Sequence, residues 1–160
     1  MPSNLLWFRR DLRLHDLPPL LEAAADGADV LGCFILDPRL EQSSGARRLQ
    51  FLGDSLRVLN DTMGGRLLIL RGRPEERIPE LCAHVGAPAV HVSADFSPFG
   101  ARRDAAVSAA LAEAGLDWRQ IQLVAGADTI RNGYPGFIDL CRGPHVPNTK
   151  YIPQNAIKLM

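Results

Sequence analysis

The stretch Asn4-Leu-Leu-Trp-Phe-Arg-Arg-Asp-Leu-Arg-Leu-His-Asp16 sets six charged or titratable side chains, Arg9, Arg10, Asp11, Arg13, His15 and Asp16, directly behind a short apolar run. A buried strand that ends this way presents its charges at a carboxyl end, where open parallel sheets bind ligands. A second loop of the same kind is Asp95-Phe-Ser-Pro-Phe-Gly-Ala-Arg-Arg-Asp104. In and beside such loops, Arg10, Phe34, Asp37, Arg48 and Asp95 form a group suited to a flat heteroaromatic ring. Arg10 offers a planar fork of donors to ring carbonyls or a carboxylate. Phe34 can stack on the ring or pack against it. Asp37 and Asp95 can accept hydrogen bonds from ring N–H or hydroxyl groups. The structural alternative is a salt-bridge network of Arg10, Asp11 and Arg13 at the strand end, with Phe34 in the core.

The elements that would position these residues are read from periodicity. Leu5–Phe8, Val30–Leu36, Arg66–Leu70, Ala89–Val92 and Gln120–Val124 are apolar runs of strand length. Between them lie helical patterns over about residues 18–25, 45–63, 74–85 and 100–114. Asp16 is placed to cap the first helix, with proline in its first turn. Leu49, Leu52, Leu56, Leu59 and Met63 give the second one apolar face, and Gly64-Gly65 stops it. Gly115 closes the fourth. Near-continuous apolar strands separated by helices imply a parallel sheet covered on both faces. The expected fold is α/β, a doubly wound five-stranded parallel sheet in the order 3-2-1-4-5, followed by a short tail. In this order the two charged loops meet beyond the first and fourth strands.

Composition narrows the function classes. The 160 residues carry no formal net charge, so no global basic field draws the chain onto nucleic acid. No run is long enough for a membrane span and no signal sequence opens the chain, which gives a cytoplasmic expectation. Cys33, Cys82 and Cys141 are odd in number and form no C-x-x-C pair, against a disulfide frame or a zinc ribbon. Neither a dinucleotide fingerprint nor a P-loop occurs. Gly72-Arg73-Pro74 reads as a plain turn with proline opening a helix. His84 reads as solvated and His91, inside the fourth strand, as a hydrogen-bonded structural imidazole, while His15 is within reach of the crevice.

Usage changes near residue 127. All 14 basic residues before it are Arg, whereas Arg131, Arg142, Lys150 and Lys158 follow it. Both tyrosines, Tyr134 and Tyr151, and three of the five asparagines also lie after it. Arg/Ala/Gly and Lys/Asn/Tyr codons have opposite base composition, so the front, 1–126, and the tail, 127–160, read either as parts of different origin or as one chain whose surface tail has its own bias. The tail's apolar Ile138, Leu140, Val146, Ile152, Ile157 and Leu159 need burial, and exposed they would favour self-association.

The run Trp7-Phe-Arg-Arg-Asp-Leu-Arg-Leu-His-Asp16 resembles the opening of the DNA photolyase/cryptochrome family. Leu36-Asp-Pro-Arg39 and Phe96-Ser-Pro-Phe-Gly-Ala-Arg-Arg-Asp104 continue the resemblance in order, over roughly the first 126 residues. It implies the amino-terminal, antenna-chromophore-binding domain of a deoxyribodipyrimidine photolyase, a lyase of light-dependent DNA repair. The antenna in this family is a deazaflavin or a folate. Similarity to the deazaflavin class places contacts at Arg10, Phe34, Asp37, Arg48 and Asp95. The family's FAD, tryptophan electron-transfer chain and basic groove for damaged DNA lie in a helical domain with no counterpart here. The expectations are therefore no FAD, no metal, no catalytic residue, and no direct DNA binding by this chain alone. The missing helical domain is the expected partner, since in the family it forms the antenna site's other wall.

The segment Phe137-Ile-Asp-Leu-Cys-Arg-Gly-Pro-His-Val-Pro-Asn-Thr-Lys150, followed by Ala156–Met160, resembles the editing domain of bacterial-type threonyl-tRNA synthetases. In that domain a Cys and a His work with a distant H-x-x-x-H pair. No such pair occurs here, so Cys141 and His145 are expected to be inert. The chain reads as a chimera, and two alternatives stand beside the antenna domain: a folded scaffold without ligand, and a fragment of an editing hydrolase.

Overall fold

A computed structural model of the chain describes residues 4–121. Strands and helices alternate as β1 (Asn4–Phe8), α1 (Pro18–Ala23), β2 (Val30–Leu36), α2 (Pro38–Gln42), α3 (Ala46–Thr62), β3 (Leu68–Arg71), α4 (Pro74–Val85), β4 (Ala89–Ser93), α5 (Pro98–Glu113) and β5 (Asp117–Ile121). All strand pairs are parallel, and the sheet runs β3-β2-β1-β4-β5, the doubly wound order that the apolar runs predict. β1 lies at its centre, with Phe8 opposite Phe34 of β2 and Leu6 opposite His91 of β4.

Strand alternation divides β1 between two cores. Leu5 and Trp7 join Cys33, Ile35, Val90 and Val92 beneath Ile78 and Leu81 of α4 and Val107 and Leu111 of α5. Leu6, Phe8 and Phe34 pack with Leu17, next to α1, and with Leu56 and Leu59 of α3. Each fully buried aliphatic side chain contributes about 1.5–3 kcal/mol by leaving water. The charged loops follow β1 and β4, two adjacent strands buried on both faces, so their backbone anchors lie in the core.

Four local expectations are corrected. β5 begins at Asp117, earlier than residue 120, because α5 ends at once in Gly115 (φ +69°) and Ala89 pairs with Asp117. Its outer residues are polar, as suits an edge strand, and this hid it from a search for apolar runs. Asp16 does not cap α1; it takes φ +49°, and Leu17 holds the cap position without a side-chain hydrogen bond. β3 is shifted to Leu68–Arg71. The short helix α2 was not foreseen, although Asp37-Pro38 is a cap followed by proline at the first helical position. The seam near residue 127, Cys141, His145 and the apolar residues of the tail lie outside the described residues. Among the described residues no helix is long and apolar enough to cross a membrane.

Candidate functional site

β1, β2 and β4 end at one rim of the sheet, and a cleft of about 330 Å³ opens there. Trp7, Phe8, Phe34 and Ile35 form its floor; Arg10, Asp37, Asp95, Ser97, Phe99 and Arg103 stand around it. Two wider and more open hollows, about 670 and 590 Å³, flank α3 and β3 and are lined chiefly by aliphatic side chains. The cleft differs from both in combining aromatic rings with converging charges, the usual make-up of a site for a flat polar ligand.

Each rim residue has a local reason for its place. Asp95 follows β4; its Oδ1 accepts the Ser97 backbone N–H at 3.0 Å. Its Oδ2 lies 3.3 Å from Arg103 Nη2 and 3.7 Å from Arg10 Nη2. Ser97 caps α5 by accepting the Gly100 N–H at 3.0 Å. Burial opposes the charge on Asp95, but the Ser97 hydrogen bonds and the cations Arg10 and Arg103 outweigh it, so its pKa lies below the ordinary carboxylate value. Asp37 caps α2 through the Arg39 N–H at 3.0 Å and receives Arg39 Nε at 2.9 Å and Nη2 at 2.7 Å. Arg39 reaches on to both Glu75 oxygens of α4 at 3.0 Å. Burial works against the Asp37 carboxylate too, and the Arg39 bonds overcome it, again lowering the pKa.

Beneath the rim runs a buried ionic chain. Arg9 turns inward and donates to Asp104 and to the Ser93 carbonyl. Arg103 contacts Asp104 Oδ1 at 2.9 and 3.1 Å, and Gln120 of β5 donates to Asp104 Oδ2 at 2.9 Å. Burial and the like charge of Arg103 lower the pKa of Arg9, with Asp104 acting against them; a guanidinium stays charged regardless. Arg9 and Arg103 lie 5.0 and 5.1 Å from the centre of the Trp7 ring. Arg39 and Arg103 approach Phe99 at 5.5 and 5.9 Å, within cation–π range.

The cleft therefore brings together Arg10, Phe34, Asp37 and Asp95, four of the five residues singled out from the sequence. Arg48 stands apart, exposed on the first turn of α3 and outside the cleft lining. Phe34 is only 8 % exposed and is a core residue whose edge reaches the cleft floor. The strand-end salt-bridge network keeps Arg10 as an outer member through Asp95, while Arg9, Arg103, Asp95 and Asp104 carry its buried part. Asp11 instead accepts the Ser93 hydroxyl and the Arg9 N–H, and exposed Arg13 donates to the carbonyls of His15 and Asp16. Sequence reasoning missed Phe99, Arg103 and Asp104 as site residues. The signal was the spacing of the buried positions 100, 103, 104, 107 and 111, one helix face with charge at its cleft end. His91 is buried as expected, but its Nδ1 has no hydrogen-bond partner among the described residues.

Fold and cleft together define a doubly wound α/β domain with a charged, aromatic-floored cleft at the topological switch point. The DNA photolyase family model matches residues 4–138, and the chain belongs to that family. It is 40% identical over 136 residues to a deoxyribodipyrimidine photo-lyase of Synechococcus, covering 81% of this chain and 28% of the relative. It is 42% identical over 117 residues to cryptochrome-2 of Gallus gallus, covering 69% of this chain and 20% of that protein. Among solved structures, a Synechocystis cryptochrome superposes with a TM-score of 0.72 at 26% identity, over 76% of this chain and 27% of the other. An archaeal photolyase from Sulfolobus tokodaii, described with two FAD molecules and a novel light-harvesting cofactor, gives 0.67 at 29% identity, over 74% and 28%. The chain thus spans about a quarter of the length of these relatives, from 20% to 28%. A second family model, the threonyl and alanyl tRNA synthetase second additional domain, matches residues 129–160.

Proposed function

We propose that residues 4–121 bind a light-harvesting antenna chromophore in the cleft, as the amino-terminal domain of a light-dependent DNA repair photolyase. The observation that carries this reading is the convergence of an exposed guanidinium, Arg10, with the buried carboxylate of Asp95 over a floor of Trp7, Phe8 and Phe34. A flat ring with an N–H beside a carbonyl matches that arrangement: Asp95 accepts the N–H, Arg10 donates to the carbonyl, and the aromatic floor takes the apolar face. A deazaflavin is favoured over a folate by the likeness of Arg10, Phe34, Asp37 and Asp95 to the deazaflavin class. Asp37 supports the cleft wall, because its oxygens are already engaged by Arg39. The helical domain typical of the family would supply the second wall. No DNA contact is assigned to these residues, because their 14 arginines are outnumbered by 16 Asp and Glu and give no net basic field.

The test is a titration of the purified chain with a deazaflavin and, separately, a reduced folate, followed by ligand fluorescence and absorbance. Saturable binding of the deazaflavin, weakened in Arg10→Ala and Asp95→Ala, is the expected result. A folded protein that binds neither ligand would leave the alternative of a scaffold without ligand.

We further infer that residues from about 127 onward have a separate origin. The Lys-free front and the synthetase-domain match at 129–160 support this. A genomic read crossing the codons for residues 120–135 in one uninterrupted gene, with homologues of the same joined architecture, would refute a recombined chain.

A further inference from the structure

We infer that Arg103 and Gly100, on the first two turns of α5, are positioning residues that fix the Asp95 carboxylate for a ring N–H in the cleft, an inference that rests on the antenna reading above. Asp95 lies on the loop after β4, where a short acidic side chain would otherwise choose among rotamers. Three contacts remove that choice. The Ser97 N–H holds Oδ1 at 3.0 Å, and Arg103 Nη2 holds Oδ2 at 3.3 Å. The third is the bare Cα of Gly100: a Cβ built there would overlap the Asp95 Cγ and both of its oxygens. The carboxylate thus rests on helix backbone that only glycine leaves open.

Arg103 serves as an anchor because it is itself immobile. Only 8% exposed, it is bonded to Asp104 at 2.9 and 3.1 Å and lies 5.1 Å from the Trp7 ring centre. Asp104 is held in turn by Arg9 and Gln120. The chain Gln120–Asp104–Arg103–Asp95 therefore runs from β5 to the cleft, and its far end cannot follow Asp95 if that side chain swings. Each Asp95 oxygen keeps acceptor capacity beyond its protein bond, since a carboxylate offers about four lone-pair sites. Arg10 is the opposite case: its side chain is 77% exposed and 3.7 Å away, so it is free to turn toward a ligand carbonyl. A fixed acceptor beside a mobile donor is the complement of a lactam or imide edge. Preorganising the acceptor lowers the cost of ordering the site on binding.

The experiment measures the affinity of the full chain for the free deazaflavin, together with the position of the bound ligand's absorbance band. The variants are Arg103→Gln, Arg103→Lys, Gly100→Ala, Asp95→Ala, and the first and third combined with Asp95→Ala. Arg103→Gln and Gly100→Ala are each expected to weaken binding about tenfold, the scale of one hydrogen bond to a charged group. Each should also shift the absorbance band. In the Asp95→Ala background neither should weaken binding further, because groups acting through one partner are non-additive. Arg103→Lys should recover part of the loss. Gly100→Ala carries the test alone if Arg103→Gln does not fold, since alanine favours the helix it enters. Full affinity in Gly100→Ala, or losses that add to that of Asp95→Ala, would overturn the positioning role while leaving the antenna reading intact. Failure of the wild-type chain to bind the deazaflavin or the folate overturns that reading and this inference with it.

Discussion

Arg39 grips Asp37 from two sides at once, its backbone N–H capping one oxygen at 3.0 Å while Nε and Nη2 reach the carboxylate at 2.9 and 2.7 Å. Asp37 is 4% exposed, so the pair is half in the core and half at the surface. The contact ties the end of β2 to the start of α2 and, through Glu75, to α4. Asp37→Ala should cost about 2 kcal/mol, the sum of a lost cap and a lost hydrogen bond to a charged group. Glu75→Ala should cost less than about 0.5 kcal/mol, because the Arg39 end is open to water and screened. Chemical denaturation of both variants checks this. Equal losses would mean that the Asp37 contact adds nothing beyond a surface ion pair.

The same carboxylates set the acid limb of stability. Asp37 and Asp95 both have pKa values below the ordinary value in the folded protein. As pH falls, the unfolded chain therefore takes up these protons first, near pH 4. Their stabilisation is complete above that point and is lost as pH drops through the lower folded values. Urea midpoints between about pH 6 and pH 2 should fall steeply for the wild type and less steeply for Asp37→Asn and Asp95→Asn. Parallel curves for all three proteins would show that these two groups are not the titrating ones.

His91 works in the same direction on the pH axis, in the neutral range rather than the acid one. Burial lowers its pKa, Glu22 at 3.9 Å pulls it back up, and Arg119 lowers it further. A histidine with a depressed folded pKa is protonated first in the unfolded chain, from about pH 6.5 downward. The wild type should thus lose stability as pH falls from about 7 toward the folded value, after which this loss levels off. His91→Val should flatten that slope, whatever its absolute stability. Its Nδ1 has no partner among the described residues, so the substitution also removes an unsatisfied polar atom from the sheet. An unchanged slope would place the neutral-range titration elsewhere.

How much of this could be read from the residues depends on whether a feature repeats. β1, β2 and β4 are buried on both faces, so Leu5–Phe8 and Val30–Leu36 stand out as continuous apolar runs and their order follows. β5 is an edge strand whose exposed residues Asp117, Arg119 and Gln120 are polar on both faces, and the apolar-run rule placed it several residues late. Arg10 and Asp95 were legible because loops after buried strands concentrate charge. Arg103 was not: a buried arginine on a helix looks like surface until Trp7 of β1 and Asp95 of the loop after β4 converge on it beside its own-helix neighbours Asp104 and Phe99. The His91 environment was illegible for the same reason, since Glu22 and Arg119 approach from α1 and β5.

Cys33 and Cys82 should be silent thiols. Both are almost fully buried, in the core under α4. Burial pushes the Cys33 pKa well above its ordinary value and that of Cys82 up to about 11. Only the thiolate reacts, so alkylation at pH 8 should leave both peptides unlabelled until denaturant is added. Mass-spectrometric mapping reads each cysteine separately. Rapid labelling of either in the native protein would show that α4 opens locally far below the global unfolding free energy.

Trp7 offers a reporter built into the cleft floor. It is 3% exposed and lines the cleft, with Trp118 the only other indole in the chain, at 6.4 Å between ring centres. A near-UV-absorbing ring bound against Phe34 and Asp95 would lie within contact range of Trp7 and accept its excitation. Indole emission should therefore fall in step with deazaflavin occupancy, and because Trp118 lies 6.4 Å from Trp7 the fall should persist in Trp7→Phe and disappear only when both indoles are replaced. The Trp7 substitution stays aromatic and should spare the fold, although it forfeits the stacking of Arg9 and Arg103, worth about 1 kcal/mol or more where desolvated. If the ligand's own fluorescence reports saturation while indole emission stays constant, the chromophore sits away from this cleft, and the assignment of Arg10 and Asp95 as its contacts fails with it.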